Sequence, residues 1–180
     1  MVLTINDLDN IQQQNPELQY ELRQGEITIM SPSDFFSEEV GLDFSYYLKQ
    51  WVNAHRLGRV TGSSAGFIMP NGDLLAPDVA FVKAEKLKIS PRSYAEVVPD
   101  LVVEIKSASD KINKLEKKLK KFLDFGVTVA ILIDPDEHIV KVFRSNSEVE
   151  ILTDDDVLII PDLFPEWELK IIDLWPEVFE

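Results

Sequence analysis

The run Leu101-Val102-Val103-Glu104-Ile105-Lys106 is apolar except for one carboxylate and one ammonium, two residues apart. Side chains alternate across a strand, so Val102, Glu104 and Lys106 share a face while Leu101, Val103 and Ile105 take the other. An acid and a lysine at a strand's end can form a metal-dependent hydrolytic site, the acid holding a cation and the lysine steadying or deprotonating the attacking water. The same pair also suits a plain ion pair on a solvated face. A second acid stands upstream, in Leu74-Leu75-Ala76-Pro77-Asp78-Val79-Ala80-Phe81-Val82. Pro77 cannot donate a ladder hydrogen bond and so opens the strand or sits on an edge. Asp78 alone reads as a turn residue that binds local amides. Paired in a hairpin with the Glu104 strand, it would bring two carboxylates to one cation.

Three other constellations carry less. Pro99-Asp100 mimics the motif, but four residues of strand put Asp100 roughly 13 Å from Glu104, too far to share an ion. Asp100 is expected to open the strand. Gly62-Ser63-Ser64-Ala65-Gly66 matches G-x-S-x-G, yet a nucleophile elbow needs a helix next, and Phe67-Ile68-Met69-Pro70 reads as a strand. His55 and His138 have no metal-ligand spacing to each other.

Pro77-Asp78 followed by Glu104-Ile105-Lys106 resembles the PD-(D/E)xK core of restriction-endonuclease-like nucleases. The strings GEITIMSPS, WVNAHRLGRVTGSSAGFIMPNGDLLAPDVAFV, PDLVVEIKSASD and FLDFGVTVAILIDP, in that order, are similar to a large bacterial family, the Uma-two endonucleases. The resemblance runs from about Asn15 to Trp175. It implies a divalent metal, usually Mg²⁺ with Mn²⁺ as an alternative, held by Asp78 and Glu104 with the Ile105 carbonyl as a further ligand. Lys106 would then orient the attacking water, and the reaction would be phosphodiester hydrolysis in DNA, most simply by a homodimer. The resemblance also implies a lysine at Lys118 reaching toward a phosphate and an acid at Glu21 near the cleft. In many such enzymes a helix acid joins the site, a part open to Asp43 or Glu39. Two departures, Ala108 for a usual Pro and Phe122 for a usual Tyr, touch the support of the site rather than its ligands. Members of the family are mostly unassigned in function. A non-catalytic module that binds nucleic acid or protein on the nuclease fold, or a nucleotide phosphodiesterase, therefore remains an alternative.

Composition bounds these readings. A chain of 180 residues fits one domain, spanning 1–180, with a core that needs no staples. Without cysteine there is no disulfide or thiolate zinc site. No run has membrane length and no basic-then-apolar leader opens the chain, so a soluble, cytoplasmic protein is expected. The net charge of −14 opposes non-specific DNA binding. Seven of the 18 basic residues, however, fall between Lys106 and Lys121, and DNA would lean on Lys114, Lys117, Lys118 or Lys121.

The elements follow from periodicity. A short helix capped by Asn6 precedes a hairpin that turns at Gln24-Gly25. Phe36, Val40, Phe44, Tyr47, Leu48, Trp51 and Val52 recur at helical spacing, predicting a helix from about Phe36 to His55, with Glu39 and Asp43 beside the stripe. Strands follow near Arg59–Thr61 and Gly66–Met69, then the Asp78 strand, a polar excursion over 83–93 and the Glu104 strand. Ser107 and Asp110 suit a cap for a lysine-rich amphipathic helix that stops at Gly126. Val127–Ile133, apolar throughout, reads as a strand buried on both faces and parallel to the Glu104 strand. The apolar C-terminal stretch closes the core or supplies a subunit interface. The class is α/β: a restriction-endonuclease-like mixed central sheet flanked by helices, with an N-terminal helix and β-hairpin.

Overall fold

The computed structural model describes residues 2–179. Helix α1 (Ile5–Gln14) starts at a capping box: Thr4 Oγ1 accepts the Asp7 N–H and the Asp7 carboxylate accepts the Thr4 N–H. The cap therefore falls two residues before Asn6, because Thr4 and Asp7 bond each other's backbone reciprocally and draw Asn6 into the first turn of the helix. Strands β1 (Gln19–Arg23) and β2 (Glu26–Met30) form the expected hairpin. Gln24 and Gly25 both take positive φ, 52° and 77°, as a two-residue turn of this kind requires.

Helix α2 (Phe35–His55) is capped by Asp34, whose carboxylate accepts the Ser37 N–H. Short strands β3 (Gly58–Thr61), β4 (Phe67–Ile68) and β5 (Leu74–Leu75) lead to β6 (Val79–Lys83) and β7 (Leu101–Ile105). Helix α3 (Ile112–Asp124) then crosses to β8 (Val129–Asp134), and β9 (Ile139–Arg144) and β10 (Glu150–Leu152) extend the sheet. The pair β11 (Val157–Ile159) and β12 (Glu168–Lys170) and a 3₁₀ turn, Ile171–Leu174, complete the chain.

The central sheet has the order β10-β9-β8-β7-β6-β3, with β7 and β8 parallel and the other neighbours antiparallel. A second sheet, β2-β1-β5-β4, carries the hairpin. Alternation sends Val79, Phe81, Val103, Ile131 and Ile133 to the α2 face, where Val40, Phe44, Leu48 and Val52 meet them. Ala80, Val82, Val102, Ala130 and Leu132 face Leu119 and Phe122 of α3. Helices thus cover both faces, and β8 is buried throughout. The C-terminal stretch closes the α2-side core: the Phe164 ring meets Phe81 edge-on at 4.7 Å and Trp167 meets Phe44 at 6.2 Å.

The loop after β7 departs from the expected helix cap. Lys111 stands at the N-cap of α3 with no side-chain cap. Ser107 instead donates its N–H and hydroxyl to Asp110, and Ala108 donates its N–H to Asp34. Asp34 therefore joins the start of α2 to the loop leaving β7, and Ser37 Oγ reinforces the join at the Lys106 carbonyl, 3.2 Å away. Asp110, one residue before the N-cap, is consumed by this turn and does not cap α3.

Asp100 directly precedes β7 and acts structurally. One oxygen accepts the Lys83 N–H at 2.9 Å and the other pairs with Lys86 at 2.8 Å. Asp100→Ala would leave that amide without its acceptor, so urea unfolding should show a loss of about 1–3 kcal/mol. An unchanged midpoint would mean that water replaces the carboxylate without penalty.

Candidate active site

Asp78 and Glu104 meet because β6 runs antiparallel to β7. The ladder pairs Val79 with Val103, so one step further puts Asp78 opposite Glu104. Strand β6 stops there, since Pro77 donates no hydrogen bond. The Asp78 carboxylate takes over the edge and accepts the Ile105 N–H at 2.7 Å. Burial pushes the Asp78 carboxyl above its ordinary range, and the charges of Glu38 and Asp110 add to this, against the Ile105 amide and Lys118.

Glu104 points to the α3 face and is buried. Lys118 of α3 reaches it: Nζ donates to Oε2 at 2.9 Å and lies 2.7 Å from Oε1. The second approach lacks hydrogen-bond geometry, which leaves Oε1 buried without a hydrogen bond. The same ammonium donates to the Ala76 carbonyl at 3.1 Å and stands 3.2 Å from Glu21 Oε1. Glu21 in turn accepts the Ala76 N–H and contacts Arg23. The environments of the two glutamates diverge. Burial pushes Glu104 up to about 8 despite Lys118, with the charge of Asp78 adding. Burial also acts on Glu21, but Lys118, Arg23 and the Ala76 amide outweigh it and hold that carboxyl below its usual range. Glu21 is thus the ionised partner, and Glu104 the one that keeps a proton near neutrality.

Lys106 does not join Glu104, although alternation alone would put both on one face. It lies just beyond the last residue of β7, and its ammonium pairs with Asp136 and stands 3.8 Å from Asp134 Oδ1, at the end of β8. The helix acid at the site is Glu38. With Gly41, Leu42, Ser45 and Lys49 it forms the wall of α2 that lines a cleft of about 440 Å³, with Asp78 and Ile105 opposite. Glu39 and Asp43 lie on another flank of α2, where the Asp43 charge acts on Tyr47 beside that of Asp173. Glu38 goes unnoticed in the sequence because Phe36 looks like the first core residue of the stripe. Phe36 is in fact 42% exposed, and Ser37 is buried in its place. The buried face of α2 thus begins at Ser37, and Glu38 beside it lines the cleft. Gly41 of α2 packs on Ile105: a Cβ there would lie 3.3 Å from Ile105 Cδ1, so that side chain would have to give by a few tenths of an ångström.

Of the other constellations, the G-x-S-x-G segment lends Gly62 and Ser63 to the lining of the cleft, and neither histidine lines it. The G-x-S-x-G segment turns from β3 into β4 without a helix. His55 ends α2, with Nδ1 2.9 Å from the Trp51 carbonyl, and His138 faces Asp154. Among the described residues no helix is long and apolar enough to cross a membrane.

The architecture is a restriction-endonuclease-like mixed α/β fold, with acids from two adjacent central strands at one end of the sheet. The chain belongs to the Uma2 family, described as "Putative restriction endonuclease", whose match covers residues 5–172. Among solved structures, a "putative nuclease belonging to DUF820" from Anabaena variabilis aligns with a TM-score of 0.77 at 22% identity, over 86% of this chain and 88% of that chain. At that identity the likeness is one of fold. A DrdV–DNA complex aligns with a TM-score of 0.39 at 17% identity, over 61% of this chain and 9% of that chain. No curated protein matches the chain.

The raised Glu104 carboxyl predicts a pH dependence of stability. A carboxyl whose folded pKa exceeds its unfolded value favours the folded state fully below the unfolded pKa, and that contribution is lost as pH rises through the folded one. With Glu104 raised from 4.5 to about 8, the melting temperature in chelator should fall between about pH 5 and pH 8 and level off above. Glu104→Gln should flatten that slope. A wild-type profile already flat over this window would refute the protonated Glu104.

Proposed function

We propose that this protein is a metal-dependent endonuclease that hydrolyses phosphodiester bonds in DNA, with Asp78 and Glu104 as the metal-holding carboxylates. The observation that carries the reading is the buried Glu104 oxygen without a hydrogen bond, beside a second carboxylate fixed by a backbone amide. Two neighbouring acids of raised pKa, buried Glu104 and half-buried Asp78, the latter lining the cleft, are what a divalent cation would relieve. The donor set suits Mg²⁺ or Mn²⁺: such ions keep much of their water shell and bind through one or two carboxylates plus substrate phosphate. Among the described residues no group of three or more His, Cys, Asp or Glu is gathered as a metal cage, so a site of this open kind is the one the chain could supply. The Ile105 carbonyl, at the same strand end, is the further ligand, and Glu38 faces Asp78 from α2. When bound, the metal supplies a lowered water pKa and charge compensation at the phosphate.

The chain's own residues divide the remaining work. Asp78, locked on the Ile105 amide, fixes the position of the carboxylate pair. Lys118 offsets the negative charge of Glu104 and Glu21 behind it. Lys106, the lysine of the motif, orients water only after leaving Asp134 and Asp136. Two copies acting together would cut both strands.

The net charge of −14 favours a second reading, in which the fold serves as a non-catalytic binding module or acts on free nucleotides. Incubation with supercoiled plasmid in Mg²⁺ and Mn²⁺ separates the two. Nicking or linearisation is expected, reduced at least about 100-fold in Asp78→Asn and Glu104→Gln, the scale of a lost catalytic group. Lys106→Ala should lower cleavage with little change in stability, whereas Lys118→Ala should lower both. Metal binding without cleavage by the wild type would transfer the fold to the second reading.

A separate prediction concerns protons. Because Glu104 holds its proton near neutrality, Mn²⁺ must displace it. Calorimetry in buffers of different ionisation enthalpy should show proton release at pH 7 that fades above about pH 8, where affinity stops rising. Binding with no proton release at pH 7 would exclude Glu104 as a ligand.

A further inference from the structure

The cleft at the carboxylates opens into a larger cavity. The two share Lys49, Val60 and Thr61, and the second, of about 730 Å³, runs between α2, the β3 edge and the excursion that follows β6. Its charge is exceptional. The chain has 32 acids against 18 Lys and Arg, yet the charged groups lining this cavity are Lys49, Arg59 and Arg92 with one acid, Asp9. The ion pairs of the described residues engage Lys86, Lys106, Lys118, Lys121 and others, but none of these three. Arg59 is also held in place. Its Nε donates to the Leu87 carbonyl at 2.9 Å and a terminal nitrogen to the Lys88 carbonyl, so its side chain is ordered before any ligand arrives. Lys49 and Arg92 are exposed and extend the positive strip on either side.

The lysines of α3 offer less. Lys118 and Lys121 are committed to Glu104, Glu21 and Asp73, and α3 covers the sheet face opposite to α2, away from the cleft.

We infer that this second cavity holds the sugar-phosphate backbone of the substrate on one side of the scissile bond, its phosphates bound by Lys49, Arg59 and Arg92. The inference rests on the nuclease reading of the adjoining cleft and adds where the substrate lies. A local positive strip leading away from the carboxylates lets a strongly acidic chain hold a polyanion, since the field near the surface is set by the charges within a Debye length rather than by the total.

The test is fluorescence anisotropy with labelled single-stranded and duplex oligonucleotides in Ca²⁺ across a salt series. The proteins are the full-length wild type, Lys49→Glu/Arg92→Glu, the charge-keeping Lys49→Arg/Arg92→Lys, and Lys114→Glu/Lys117→Glu. Lys49 and Arg92 are exposed, so the variants should fold, and calorimetric Mn²⁺ binding serves as an independent check on the carboxylate site. The charge-reversed cavity variant should lose at least tenfold in affinity in one or both arms, with a salt slope shallower by about 1.4 to 1.8 for two lost phosphate contacts. The charge-keeping variant should bind both the oligonucleotides and Mn²⁺ as the wild type does. Equal affinity of the charge-reversed variant and wild type, or an equal loss in the α3 variant, overturns the inference while leaving the nuclease reading intact. Absence of any binding by the wild type with metal present overturns both.

Discussion

Lys118 places one almost fully buried positive charge among the carboxylates of Glu104 and Glu21 and the carbonyl of Ala76. These acceptors come from β7, from β1 and from the segment before β6, so a single ammonium joins the hairpin sheet, the central sheet and α3. Removing an ion from water is expensive, and a buried pair repays that only when its remaining donors are satisfied. Lys118 has three donors and three acceptor groups. The distribution of protons at the site follows from this arrangement. One positive charge cannot neutralise two buried acids, and Arg23 assists only Glu21. Glu104 is left as the acid that stays protonated near neutrality.

The end of β6 contributes the second constraint. A proline ends the ladder two residues before the strand begins, and the side chain of the aspartate between them bonds the amide that the ladder leaves unpaired. Backbone satisfaction and carboxylate placement are achieved by the same bond. A carboxylate fixed in this way loses little freedom when it takes up a ligand, which is how a site on rigid strands gains precision over one on loops.

Charge is organised at two scales. Overall the chain is acidic, which favours solubility and opposes loose association with polyanions. Locally, the basic groups fall into two sets with different duties. Those on α3 that point inward are spent on internal carboxylates, and those beside the cleft are free of acids. Counting lysines along the sequence cannot separate the two sets, because ion pairing depends on which sheet face a helix covers.

Much of the architecture was legible in the sequence because it rests on local rules. The alternation in β1 and β2, the all-apolar β8, the stripe of α2 and the positive-φ turns at Gln24-Gly25 and Gly126 follow from side-chain period and backbone sterics, which neighbours in sequence determine. The motif acids Asp78 and Glu104 were legible for the same reason, as lone charges in apolar strands. The rest was decided by which of several compatible partners each polar group meets, some a turn away and some on distant segments. Thr4 displaced Asn6 as a cap through a reciprocal bond with Asp7, and Asp110 was drawn into a turn with Ser107. Ser37 took the place of Phe36 in the core, and Glu38, not Glu39 or Asp43, lines the cleft. Alternation put Lys106 beside Glu104, but the strand ends at Ile105, and the acids that compete for that lysine come from β8 and the turn after it. The sequence by itself determined which residues can carry charge into a buried strand; only the tertiary structure decided which ammonium meets which carboxylate, because electrostatic pairing depends on distance in space and not on separation along the chain.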